Sequence, residues 1–215
     1  MNEIITPTWV IAQKKYEILM LQAFLKNEKI SRIVEVGTWT GGSALLWAHM
    51  VSKYEDGIVY CCDLQFKWGA YWNRDLITNI ITHWDTQIYT NSAYRKYIQE
   101  LQGDSHDPVF IEKVRNQVGE GSIDFMFIDG DHSYEGIKAD FNNYYSLVKK
   151  GGFIAFHDII DSEYHRSFGC YVEKFWQEIK NNFEHWEFID GNSYVAHHDH
   201  IVPSLSMGIG VVRVK

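Results

Sequence analysis

Two short runs carry most of the reactive side chains of this 215-residue chain: Asp129-Gly130-Asp131-His132 and His157-Asp158. Each follows an apolar run of strand type, from Ile123 to Ile128 and from Phe153 to Phe156, so the two are expected on loops that leave neighbouring strands. Carboxylate oxygens and an imidazole with coordination positions left open suit Mg²⁺ or another divalent cation, with Asp129, His157 and Asp158 as its ligands. Such an ion acts as a Lewis acid and lowers the pKa of a bound hydroxyl. His132 titrates in the range of a general base, and with Asp129 it forms the candidate catalytic pair. The competing reading is that these groups hydrogen-bond one another and cap the helix that follows Ser133. A third cluster, His197-His198-Asp199-His200, is a weaker ligand set, because adjacent side chains on a strand diverge.

A glycine turn supplies the second kind of site. The run from Ile33 to Val36 ends at Gly37, Thr38, Trp39, Thr40, Gly41, Gly42 and Ser43, and helix-like sequence begins behind it. Glycine accepts positive φ and lets a ligand approach bare backbone. The G-x-G-x-x-G spacing of a dinucleotide loop is missing, and so is the lysine of a phosphate-binding loop. What remains is an acidic strand end, Glu35, and a turn without a phosphate partner. That suits a cofactor with a ribose and a charged amino-acid tail, received by Glu35, Gly37, Thr38, Gly41, Gly42 and Ser43. Asp63 closes the second strand, where it is placed for both ribose hydroxyls; a solvated turn acid is the alternative. With Asp104, Asp129 and Asp158 at further strand ends, Glu35 and Asp63 are expected to share one crevice at the carboxyl edge of a sheet. Trp68 and Trp72 either wall that crevice or pack, and Tyr164, His165 and Arg166 either meet an anionic acceptor or form a solvated loop.

The elements that must position these groups alternate. Strands are expected over Ser31 to Val36, Gly57 to Asp63, Tyr97 to Leu101, Ile123 to Asp129 and Phe153 to Phe156, with a final pair near Trp186 to Ile189 and Met207 to Val214. Runs without polar alternation fit central parallel strands covered on both faces. Helices are expected from Ser43 to about Lys53, from about Ala70 to Thr82, from Pro108 onward with Phe110, Val114 and Val118 inward, and from about Cys170 to Asn181. After the Ser133 cap, Ile137, Phe141, Tyr144, Tyr145 and Val148 make one stripe, which Gly151-Gly152 ends. An N-terminal amphipathic helix spans Trp9 to Lys26 with Tyr16, Leu19, Met20, Ala23 and Phe24 on its apolar face, packed on the sheet or serving as a lid. The fold expected is α/β: a Rossmann-like three-layer sandwich around a seven-stranded, mostly parallel sheet whose last strand is antiparallel. It forms one unit, with residues 1–28 as a helical segment and 29–215 as the core.

Composition sets the outer limits. The chain is 46% hydrophobic and 22% charged, with a formal net charge of −8, which argues against nucleic acid and anionic membrane as partners. Three cysteines form no disulfide framework, no apolar run approaches a membrane span and no signal peptide is evident, so a cytoplasmic location is expected.

At these residues the chain resembles the class I S-adenosylmethionine-dependent methyltransferases, in the bacterial small-molecule branch with a D-G-D-H-x-Y-E-G-x-x-x-D signature. That branch includes sugar and macrolide O-methyltransferases and the cephalosporin hydroxylase-like group. The segments that carry the likeness run from Val34 to Ser43, from Gly103 to Ser105, from Phe127 to Asp140 and from Gly151 to Asp158, with Asp63 in the place of the ribose acid. The resemblance implies S-adenosylmethionine as cofactor, Asp104 and Ser105 beside its adenine, Asp129 and Asp158 as metal ligands and His132 as base. Metal-dependent members carry Glu-Asp where this chain has His157-Asp158. The expected partner is a small hydroxylated acceptor, with homo-oligomerisation left open. Two other readings stay open at this point: an NAD-dependent oxidoreductase using Asp63 for the same sugar contact, and a non-catalytic cofactor-binding or interaction subunit.

Overall fold

The computed structural model describes residues 13–66, 72–74, 81–83, 93–191, 195–197, 200–202 and 207–215. Its elements in chain order are α1 (Lys15–Leu25), β1 (Arg32–Val36), α2 (Gly42–Val51), β2 (Ile58–Asp63), β3 (Trp72–Arg74), β4 (Ile81–His83), β5 (Ile98–Gln102), α3 (Pro108–Val118), β6 (Ile123–Ile128), α4 (Tyr134–Tyr144), β7 (Val148–His157), α5 (Glu163–Ser167), α6 (Val172–Ile179), β8 (Glu184–Phe188), β9 (Val195–His197), β10 (His200–Val202) and β11 (Ile209–Arg213). Seven strands form the main sheet in the order β5-β2-β1-β6-β7-β11-β8. The first five are parallel, and β11 runs antiparallel between β7 and β8. Ile209 pairs with Phe188, so the expected final pair of strands is present, with the last strand antiparallel.

The alternation of side chains along the strands divides the core between two layers of helices. Val34, Val36, Cys62, Met126, Ile128, Ile154 and Phe156 pack toward α3, α4 and α6. Ile33, Val59, Cys61, Phe125, Phe127, Phe153 and Ala155 pack toward α1 and α2. Burial of β6 is complete along its length, as a strand covered on both faces requires. The cap read from sequence at Ser133 holds: it accepts a hydrogen bond from Gly136 N at 3.0 Å. Cys61, Cys62 and Cys170 are free and buried. Among the described residues no helix is long and apolar enough to cross a membrane.

Three local expectations are corrected. On α1 the buried face is Glu17, Ile18, Leu21, Gln22 and Leu25, while Tyr16 and Met20 are exposed. The cause is a polar buried stripe that disguises the inner face. Lys14 Nζ donates to Asp190 O at 2.9 Å, and Glu17 accepts from Asp190 N and Gly208 N, each at 3.1 Å. Second, the helix expected from Ala70 to Thr82 is replaced, in its described parts, by the antiparallel pair β3 and β4. Third, Val148 and Gly151-Gly152 belong to β7 and not to the end of a helix. Gly151 takes φ +80°, and its N–H donates to Val214 O at 2.8 Å, so the strand bends there to meet the C-terminal segment. Trp9, Trp68, His198, Asp199 and the side chains of Trp72, His197 and His200 lie outside the described residues.

Candidate active site

The chain builds outward from β1 through β2 to β5 on one side and through β6 to β7 on the other. The switch point therefore falls between β1 and β6, where open α/β sheets hold their ligands. A cavity of about 650 Å³ lies there, lined by residues that follow each of the five parallel strands. That volume is in the range of small-molecule sites.

The end of β1 shapes the floor. Gly37 takes φ +84°, and a Cβ at this position would lie 2.2 Å from the carbonyl oxygen of Asp129. The glycine is thus required by the convergence of the β1 and β6 backbones as much as by any ligand. Gly41, also at φ +84°, caps α2, whose first residues Gly42 and Ser43 face the cavity with Thr38.

Glu35 departs from expectation. Its position on β1 points to the α2 side of the sheet, beside Cys61 and Phe127 in register, and it does not line the cavity. It is fully buried and accepts from Trp47 Nε1 at 2.8 Å. Burial pushes its carboxyl up to about 7, against the opposing hydrogen bonds of Ser43, Thr38 and Trp47. Glu35 therefore braces the turn from below. Only Asp63 of the expected pair faces the crevice. Its Oδ2 accepts from Thr38 N at 2.9 Å and Trp39 N at 2.7 Å, and its Oδ1 accepts from Gln65 N at 2.9 Å. A carboxylate offers about four lone-pair sites, so these three bonds leave about one, on Oδ1, for a sugar hydroxyl. Asp104 and Ser105 line the far end with His106.

Asp129, His132, His157 and Asp158 come together as expected. His132 bridges the two carboxylates, with Nδ1 2.8 Å from Asp158 Oδ2 and Nε2 3.3 Å from Asp129 Oδ1. His157 Nδ1 stands 3.2 Å from an oxygen of each. Burial alone would raise both acids, but His157 and His132 outweigh it and hold Asp129 down at about 2 and Asp158 well below its ordinary value. Burial pulls both imidazoles down in turn, and the carboxylates more than reverse it, holding His132 and His157 above the usual histidine range. Ligand atoms of Asp129, His157 and Asp158 lie within 4.8 Å of one another, as do those of His132, Asp158 and Cys170. Among the described residues neither nitrogen of buried His157 makes an aligned hydrogen bond, so Nδ1 meets the two carboxylates as an ionic contact. The donor set fits a divalent cation.

Three contributors take roles that the sequence does not assign: Gln13 and His106 are not singled out there, and His165 reads only as an acceptor contact or part of a solvated loop. Gln13, two residues before α1, donates from Nε2 to Asp129 Oδ2 at 2.5 Å. His165 is buried on α5 with Nε2 3.2 Å from Asp158 Oδ1, fixed by Nδ1 at 2.8 Å from Ile160 O. His106 stands between Asp140 and the cavity. A capping turn is the one local hint: Ser162 accepts from His165 N at 3.1 Å. Tyr164 and His165 line the cavity, whereas Arg166 pairs with Asp161 at the surface and does not reach it.

Comparison with known proteins adds to this geometry. A family model described as a methyltransferase domain matches residues 34–159. An uncharacterized protein of Acanthamoeba polyphaga mimivirus is 33% identical over 129 residues, 60% of this chain and 51% of that protein, so the match spans about half of the relative's length. Among solved structures, the O-methyltransferase from Bacillus cereus in complex with SAH superposes with a TM-score of 0.61 at 17% identity, covering 98% of this chain and 84% of that one. The O-methyltransferase TomG from Streptomyces achromogenes, involved in tomaymycin synthesis and solved with SAM, gives 0.58 at 14% identity, covering 97% and 83%. At these identities the likeness is one of fold.

Proposed function

Since this chain belongs to the methyltransferase-domain family, we propose that it is an S-adenosylmethionine-dependent O-methyltransferase for a small hydroxylated acceptor, a sugar or natural product. The observation that carries the reading is the meeting, in one cavity, of the glycine turn, Asp63, the Asp104–His106 loop and the Asp129/His132/Asp158 cluster. The sulfonium methyl is already activated, so the protein's task is to hold the donor carbon and the acceptor oxygen in line at near-attack distance. Gly37, Thr38, Gly42 and Ser43 receive the amino-acid tail, with Gly41 setting the turn. Asp63 takes a ribose hydroxyl on Oδ1, and Asp104 and Ser105 flank the adenine. As the new O–CH₃ bond forms and the S–CH₃ bond breaks, the acceptor's proton passes to His132, which Asp129 and Asp158 orient. Asp129, His157 and Asp158 are the residues that would hold a divalent ion. Bound there, it would serve as a Lewis acid to the acceptor oxygen and draw off carboxylate charge that keeps His132 protonated.

Calorimetry with S-adenosylhomocysteine tests the donor assignment, and absence of binding removes it. Transfer of labelled methyl from S-adenosylmethionine into a metabolite extract tests the reaction. Donor binding without transfer to any acceptor pool would favour a non-catalytic cofactor-binding subunit. Turnover that survives chelation but is abolished in His132→Ala would remove the ion and leave His132 as the base.

A further inference from the structure

Asp129 meets the histidines of the cluster through one oxygen. His132 Nε2 stands 3.3 Å and His157 Nδ1 3.2 Å from its Oδ1. A carboxylate turns on a soft, roughly two-fold torsion, so Oδ1 keeps that place only if Oδ2 is held as well. The group that holds it is Gln13, 116 residues away in the chain, whose Nε2 donates to Oδ2 at 2.5 Å. The sense of the amide is fixed by chemistry: a carboxylate accepts and never donates, so the NH₂ end must face Asp129. Oε1 is then left buried and without a hydrogen-bond partner among the described residues. A buried amide oxygen in that state costs stability, and an unbranched apolar side chain would fill the same space without it. Packing therefore does not account for a glutamine at this position. The backbone behind Gln13 is pinned. Lys14 is fully buried and donates to Asp190 O at 2.9 Å, and Glu17 accepts from Asp190 N and Gly208 N, each at 3.1 Å. Gln13 itself is 5% exposed and lines the cavity, so bulk water competes weakly for its N–H. It also lies outside the matched stretch 34–159, so the contact is no part of the methyltransferase-domain motif.

We propose that Gln13 is a positioning residue for the methyl transfer: by occupying Oδ2 of Asp129 it keeps Oδ1 turned to His132 and fixes the imidazole that takes the acceptor's proton. The inference rests on the reading of His132 as base and goes beyond it by bringing the N-terminal segment into the site. Without the amide the carboxylate is free to rotate, and His132 keeps only its contact with Asp158 at 2.8 Å.

The rate of labelled methyl transfer from S-adenosylmethionine into a metabolite extract, at fixed extract and varied donor, tests this. Gln13→Met keeps an unbranched side chain and removes the amide. Its maximal rate should fall about tenfold or more, the worth of one hydrogen bond to a charged group. The donor KM, the calorimetric affinity for S-adenosylhomocysteine and the melting temperature should stay near native. Gln13→Glu keeps the shape but sets an oxygen against Oδ2, and should be at least as slow. A Glu variant at the native rate would make Oε1 the working atom and overturn the proposal. In a His132→Ala background, Gln13→Met should cost nothing further, because the base it serves is gone. Two losses that multiply would mean an independent or purely structural role and would also overturn it. Gln13→Met at the native rate overturns it and leaves the donor reading standing. If Gln13→Met does not fold, Gln13→Asn carries the same amide on a shorter arm and must show the same loss. A native protein that transfers no methyl overturns both this inference and the reading it rests on.

Discussion

Glu35 offers the sharpest test of how the turn beneath the donor site is built. Its carboxyl is fully buried, and burial raises it from 4.5 to about 7. A carboxyl that is weaker in the folded chain than in the unfolded chain stabilises the fold below 4.5 and loses that stability as pH climbs through 7. The rise of about 2.5 in pKa corresponds to about 3 kcal/mol at 1.36 kcal/mol each. Asp140 is shifted in the same direction, to about 6, so the pH dependence of the native protein alone does not isolate Glu35. Glu35→Gln does, because glutamine has the same shape and no charge to lose. Urea denaturation of both proteins from about pH 5 to about pH 8 should show the variant gaining about 2–3 kcal/mol relative to the native chain across that window. The offset at low pH, where both side chains are neutral, reports any cost of the amide beside Trp47. If the difference between the two proteins stays flat across the window, Glu35 is charged or hydrated in the fold and the reasoning fails.

Three further outcomes follow from the same geometry. Gly37→Ala places a Cβ 2.2 Å from Asp129 O at φ +84°, and thermal denaturation should show a loss of about 3 kcal/mol or more together with loss of S-adenosylhomocysteine binding. Lys14→Met keeps the volume of a fully buried side chain and removes the donor to Asp190 O, so the chain should lose about 2–3 kcal/mol in a urea titration. His132→Ala should lower turnover by about 100- to 10,000-fold while S-adenosylhomocysteine still binds with its native affinity. An affinity that falls in step with turnover would move His132 from proton transfer to donor binding.

What the order of residues determined by itself was the frame. Unbroken apolar runs such as Ile123 to Ile128 announce central strands, and strand ends rich in acids beside a glycine turn announce a crevice at their carboxyl edge. Ser133 marks a helix start through a local side-chain hydrogen bond, so sequence alone suffices there. Only the tertiary structure decided which way the polar groups point. Glu35 looked like a ligand because a strand-end acid is costly to bury, yet Trp47 Nε1 from α2 satisfies it inside the core. The inner face of α1 was hidden for the same reason, since Lys14 and Glu17 find partners at Asp190 and Gly208, far away in the chain. His165, Gln13 and His106 join the site through contacts with Asp158, Asp129 and Asp140 that no local spacing encodes. Periodicity reports where apolar surface lies. The partner that makes a buried charge tolerable comes from another element, and its identity exists only once the chain has folded.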